Sequence, residues 1–168
     1  MSQAFVKEPD GDETVGELAD LPISPHPNRV TPQGLEQLRE RLRGLEAEEA
    51  DLHGEEGALA ARPHLAHLGR EIRYFKARIA SAIVVDPAGQ PADRIDFGAM
   101  VRAEDDDGKA YDFQIVGEDE ADPSNGKVSW ISPLARAAKG AAVGDLITWR
   151  RPKGDKQLEI LEISYPEH

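Results

Sequence analysis

Cysteine is absent from all 168 residues. That removes disulfides, thiolate nucleophiles and cysteine-held metals, and it fits a reducing compartment. Aromatic residues are also scarce, at 5%, which leaves little material for a base-stacking platform or an aromatic-lined pocket. No apolar run approaches membrane-spanning length, and the first residues lack the charged-then-apolar order of a secretion signal. A cytoplasmic protein with no membrane association is the expectation. Cations are outnumbered, 20 against 32 acids, for a net charge of -12. Phosphate-backbone binding calls for clustered Lys and Arg, so direct sequence-specific contact with nucleic acid is not expected. A protein partner fits better.

What the sequence does contain is a pair of heptad stripes. Leu35, Leu38, Leu42, Leu45 and Leu52 fall on one helical face, interrupted by Glu49. Leu65, Leu68, Ile72, Phe75, Ile79 and Ala82 repeat the pattern after Gly54-Glu55-Glu56-Gly57, an alanine-rich stretch and Pro63. Two stripes of matched length joined by a glycine-rich turn bury each other, so residues 30–85 predict an antiparallel helical hairpin. Each arm would have about 18 residues and span roughly 27 Å. Thr31 is placed as N-cap and Pro32 at the first helical position, where a missing N–H costs nothing. Glu46, Glu48, Glu49, Asp51, Glu55 and Glu56 precede the next base, Arg62. Acids therefore gather at the far end, while Arg70, Arg73, Lys76 and Arg78 make the returning arm basic.

Residues 1–29 are acidic, punctuated by Pro9, Pro22, Pro25 and Pro27, and without apolar periodicity; composition predicts a disordered tail. Residues 86–95 are rich in Pro and Gly and predict a linker. From Phe97 the period falls to two. Strands are expected over Phe97–Ala103, Tyr111–Gly117, Lys127–Ile131, Asp145–Arg151 and Gln157–Tyr165, with a turn at Asp105-Asp106-Asp107-Gly108. One short helix, Pro133 to Lys139, is capped by Ser132 and stopped by Gly140. The whole is an α+β chain: a helical hairpin, then a small bent antiparallel sheet domain over residues 96–168 with one covering helix. Trp130, Trp149, Tyr111 and Phe113 are expected in core and cross-strand packing. His53, His64 and His67 lie near the apex, and a metal site with Glu49 or Asp51 is conceivable from spacing, but polar spacers are the favoured reading and no metal of its own is expected.

The ordered series Phe97-Gly98-Ala99-x-Val101, Asp107-Gly108, Ile115 to Asp122, Gly126-Lys127-Val128-Ser129, Ser132 to Ala137, Val143-Gly144-Asp145 and Leu158 to Ile163 resembles the C-terminal domain of the bacterial Gre transcription elongation factors, GreA and GreB. Thr31-Pro32-x-Gly34-Leu35-x-x-Leu38 and Arg73-Tyr74-Phe75 extend the likeness through the hairpin. The resemblance implies an FKBP-like fold for the sheet domain and a monomer that docks at the rim of RNA polymerase's secondary channel. The hairpin would enter that channel, and its tip acids would help the polymerase cleave backtracked RNA through a shared Mg²⁺, with no intrinsic cofactor and no enzymatic activity of its own. The resemblance also assigns polymerase docking to Ser132 and Pro133, followed by Arg136, although Ile131 stands where the family often has an acid. The family's Asp-x-x-Glu tip segment is missing: Asp51 matches its Asp, but Gly54 falls at its Glu. The hairpin is shorter by roughly one heptad per arm, about 10 Å of reach, so Glu55 and Glu56 become the candidate tip acids, with Asp51 set back. Three alternatives stay open: occlusion of the channel without cleavage, an interaction module for another partner such as nucleoside diphosphate kinase, and a disfavoured isomerase-like enzyme.

Overall fold

A computed structural model of the chain describes residues 18–54 and 59–166. They fall into two compact units, 18–25 with 38–80 and 26–37 with 81–166. Among the described residues no helix is long and apolar enough to cross a membrane.

The first unit is built on two helices, α1 (Pro32–His53) and α2 (Arg62–Ser81). At 22 and 20 residues they run about 33 and 30 Å, roughly a turn and half a turn longer than the stripes alone suggested, because polar residues flank each stripe and continue the helix. Leu45, Leu68 and Ile72 are buried, with Leu42, Leu52 and Phe75 packed against them. These are stripe residues from both arms, so the heptad pattern does what it predicts. Glu49, the interruption, is half-buried.

In the second unit, β1 (Arg29–Val30) and β2 (Ile83–Val84) pair in parallel, Arg29 opposite Ile83 and Val30 opposite Val84. The larger sheet has β3 (Met100–Asp105), β4 (Ala110–Val116), β5 (Lys127–Ser129), β6 (Leu146–Trp149) and β7 (Lys156–Ser164) in the order β5-β4-β3-β7-β6. Three of its pairings are antiparallel; β4 and β5 are parallel, so the sheet is mixed where alternation predicted antiparallel throughout. The loop from Gly117 to Gly126 contains a 3₁₀ turn, Pro123–Asn125, and it carries the chain back to the same end, the crossover a parallel pair requires.

Ile95, Phe97, Ala99, Val101 and Ala103 are all buried, the period of two that marked this stretch as extended. Ladder pairing nevertheless starts only at Met100, since Gly98 sits at a φ of +89°, a left-handed conformation that breaks the regular ladder. Ile95, in the stretch read as linker, is fully buried; its N–H donates to Ala141 O at 2.9 Å. The short helix α3 (Pro133–Ala138) lays Leu134, Ala135 and Ala138 onto this core beside Phe113, Ile115, Ile147, Leu158 and Ile160. Tyr111 and Trp149 meet edge to face at 5.8 Å, the cross-strand packing expected of them.

Candidate functional site

Two places carry the residues of interest, one in each unit. At the far end of the hairpin, α1 closes with the Gly54 N–H donating to Ala50 O and Asp51 O. Asp51 is exposed on the last turn. Glu55 and Glu56 lie outside the described residues.

The acids behind them are not left as a bare anionic cluster. Lys76 Nζ approaches Glu46 at 3.7 Å, and His64 Nε2 meets Glu48 Oε1 at 2.8 Å. Farther down, Arg41 reaches Glu71 at 4.0 Å. The sequence shows the acid run on one arm and the basic arm after it; that Glu46 and Glu48 meet side chains of the returning arm follows only once the arms are folded together. All six side chains are well exposed, so each pair contributes at most about 1 kcal/mol. His67 Nδ1 lies 3.3 Å from Arg70, so the two histidines turn to different partners. Among the described residues no group of three metal-type ligands converges.

Composition did not reveal a second feature of this unit. Arg73 donates to Asp20 Oδ1 at 2.6 Å and to Leu18 O at 2.8 Å, which holds residues 18–20 of the acidic N-terminal stretch against α2. A run of prolines and acids shows no periodicity, and a single arginine fork is invisible without coordinates.

In the second unit, Ser132 Oγ accepts from Ala135 N at 3.3 Å and caps α3, while Pro133 takes its first turn. Pro133 and Arg136 are exposed and Ser132 is half-buried. The three assigned docking residues therefore share one short stretch of surface at the start of α3. Ile131, before them, is half-buried; its N–H donates to Ser129 Oγ at 3.3 Å.

The same unit holds a polar node at the root of α1. Thr31 Oγ1 accepts from Gly34 N at 2.9 Å, the expected cap, and donates to the buried carboxylate Glu120 Oε2 at 2.6 Å. Lys127 Nζ stands 3.8 Å from the other carboxylate oxygen. Gly34 leaves room for this: a Cβ there would sit 2.5 Å from Glu120 Oε2.

Asp105 is a further surprise, being buried at the end of β3 although the sequence placed it in the turn. Lys156 Nζ lies 2.8 Å from Asp105 Oδ2 and donates to the Tyr111 hydroxyl at 2.9 Å. The Lys156 hydrogen bond, helped by the Lys109 and Asp107 N–H groups, holds the Asp105 carboxyl down at about 2, and the same contact raises Lys156. A carboxylate and a lysine fixed in their charged forms clamp the sheet and supply no acid–base chemistry at neutral pH.

Comparison with known proteins gives the family. Residues 90–165 match the family described as "Transcription elongation factor, GreA/GreB, C-term". The GreA transcription elongation factor of Alkalilimnicola ehrlichii is 38% identical over 152 residues, covering 81% of this chain and 96% of that protein. A GreB of Neisseria meningitidis serogroup B is 34% identical over 153 residues, with 82% and 94% coverage. Among solved structures, the prokaryotic transcription elongation factor GreA/GreB from Nitrosomonas europaea is 25% identical, with a TM-score of 0.41 over 82% of this chain and 98% of that one. With a third of the residues identical along nearly the full length of these relatives, the chain belongs to the GreA/GreB family of transcription elongation factors.

Proposed function

We propose that this chain binds RNA polymerase at the rim of its secondary channel and regulates elongation through the hairpin, as a monomer and without enzymatic activity of its own. The observation that carries the reading is the paired arms, each about 30 Å long, whose far end presents Asp51 and leads into Glu55 and Glu56. On this reading those carboxylates join the polymerase's own active site, share its Mg²⁺ and promote cleavage of backtracked RNA. The cavity beside Trp130 has a volume of about 20 Å³, room for a water rather than a proline ring, which speaks against an isomerase.

A specific observation favours a second outcome at the same site. The alignment with the Alkalilimnicola GreA spans 152 positions but uses only 81% of this chain, about 136 residues, so the relative carries residues that this chain lacks. If the hairpin is where they are missing, the acids stop short and the arm fills the channel without promoting cleavage. Positioned catalysis tolerates little displacement.

Purified core polymerase decides between them. Cleavage of a backtracked complex by the wild type, lost in Glu55→Ala/Glu56→Ala or Asp51→Ala, supports the cleavage reading. Slowed elongation that survives those substitutions supports occlusion. A factor that neither co-migrates with core enzyme nor changes its kinetics overturns both.

A further inference from the structure

Arg73 spends one guanidinium on two partners, Asp20 Oδ1 at 2.6 Å and Leu18 O at 2.8 Å. Leu18 and Leu21, on either side of that aspartate, are half-buried, while the Asp20 side chain stays 75% exposed. A turn nearer the apex, Arg70 shares the face of Arg73, and two like charges three residues apart on a helix repel. Its terminal nitrogen lies beside His67, but Arg70 Nε is buried and makes no hydrogen bond among the described residues. The clasp therefore seats an anion against one arginine and leaves a donor of its neighbour unmet. From Arg73 back to Arg62, where α2 begins, the helix measures about 16 Å. An extended chain covers that distance in about five residues. Upstream of Leu18 the sequence places Glu8, Asp10, Asp12, Glu13 and Glu17 against a single cation, Lys7.

We propose that the acidic N-terminal segment is a built-in strap on the hairpin. Clasped at Arg73 through Asp20 and Leu18, with the acids of residues 8–17 as occupants of the face around Arg70, it covers α2 in the free chain and competes with polymerase for that arm. The inference rests on the polymerase-binding reading above and adds regulation to it. On that reading the arm is enclosed by its partner, so strap and partner claim the same side of α2. The chain's own segment suits the face because it is opposite in charge, tethered beside it and long enough to span it. The magnitudes suit a competitor better than a fixed brace. An exposed ion pair is weak and screened by salt, so each contact opens readily. Several such pairs on one tether still hold together through their effective concentration. A partner that accepts only open chains then binds more weakly, in proportion to the fraction that is open.

Two measurements on the full-length chain test this. The protein has no cysteine, so a nitroxide on Gly11→Cys reports where the segment lies. The amide resonances of Arg70 and Arg73 are expected to broaden. They should recover with Arg73→Asp or in about 0.5 M salt, and broaden again in Arg73→Asp/Asp20→Arg. In the second measurement, affinity for core polymerase is compared across variants. Asp20→Asn is expected to bind about threefold tighter, and a chain with Asp10→Asn, Asp12→Asn, Glu13→Gln, Glu17→Gln and Asp20→Asn about tenfold tighter. Thermal midpoints should move by no more than about 3 °C, which separates the gain from any change in folding. Broadening absent from α2, or transferred only from a labelled copy to an unlabelled one, overturns the strap. Broadening on α2 with equal or weaker polymerase binding by the neutralised chain overturns the competition and leaves the polymerase-binding reading standing. Failure of wild type and neutralised chain alike to bind polymerase overturns that reading, and the competition with it.

Discussion

Replacing Thr31 by alanine attacks a single hydroxyl with two duties. Its oxygen caps α1 by accepting from Gly34 N, and its proton goes to Glu120. Loss of the cap costs about 1 kcal/mol. The buried Glu120 oxygen, stripped of its donor, adds about 1–3 kcal/mol. The expected sum is about 2–4 kcal/mol, a drop of about 1–2 M in urea midpoint for a slope of about 2 kcal/mol/M. The assay is favourable because both tryptophans, Trp130 and Trp149, lie in the unit that holds Thr31. Their fluorescence follows that unit, whatever the hairpin does. Thr31→Ser keeps both hydrogen bonds and is expected to stay within about 0.5 kcal/mol of the wild type. A double-mutant cycle with Glu120→Ala isolates the shared bond, with an expected coupling of about 1–2 kcal/mol. If Thr31→Ala unfolds with the wild type, or Thr31→Ser falls as far as Thr31→Ala, the reasoning is refuted.

Three other perturbations follow from the same coordinates. Gly34→Ala drives a methyl group against Glu120 Oε2, and urea unfolding is expected to show a loss of about 1–3 kcal/mol; an unchanged midpoint means the carboxylate moves aside freely. Leu45→Ala and Ile72→Ala each empty a buried stripe position, at about 2–5 kcal/mol, read as earlier melting of helical circular dichroism while tryptophan fluorescence holds. Asp105 has a folded-state value of about 2, below its ordinary 3.8. Its contribution is therefore fully present above pH 4 and lost as the pH falls towards 2. The wild type should lose thermal stability across that window, and Asp105→Asn, weaker at neutral pH, should lose less there; parallel curves would contradict the assigned clamp.

The hairpin was legible because its signal is repeated. Eleven apolar positions at heptad spacing outweigh one glutamate, and the structure buries Leu45, Leu68 and Ile72 where the stripe puts them. The alternation from Phe97 onward was legible for the same reason. Features resting on one contact were not. The two-residue strands β1 and β2 make their bonds through backbone groups that every residue owns. Nothing in Lys127-Val128-Ser129 announces that it pairs in parallel. The burial of Asp105 and Glu120 was not legible, because burial of a charge depends on a partner far along the chain, Lys156 for one and Thr31 for the other. Of the candidate site residues, Asp51, Glu55 and Glu56 were named from the acid run at the far end of the hairpin, and Ser132, Pro133 and Arg136 from the family resemblance.

The pairing of β1 with β2 has a topological consequence. The chain departs for its long excursion at Thr31 and is back at Ile83, alongside the strand it left. Entrance and exit are therefore neighbours, fixed to one another by the β1–β2 ladder. Heptads spliced in or removed, one from each arm at a time, are expected to leave that ladder in place. Reach in this architecture is adjustable in steps of about 10 Å, and a library of such lengths on one unaltered base would be a natural ruler for the depth of whatever the arm enters.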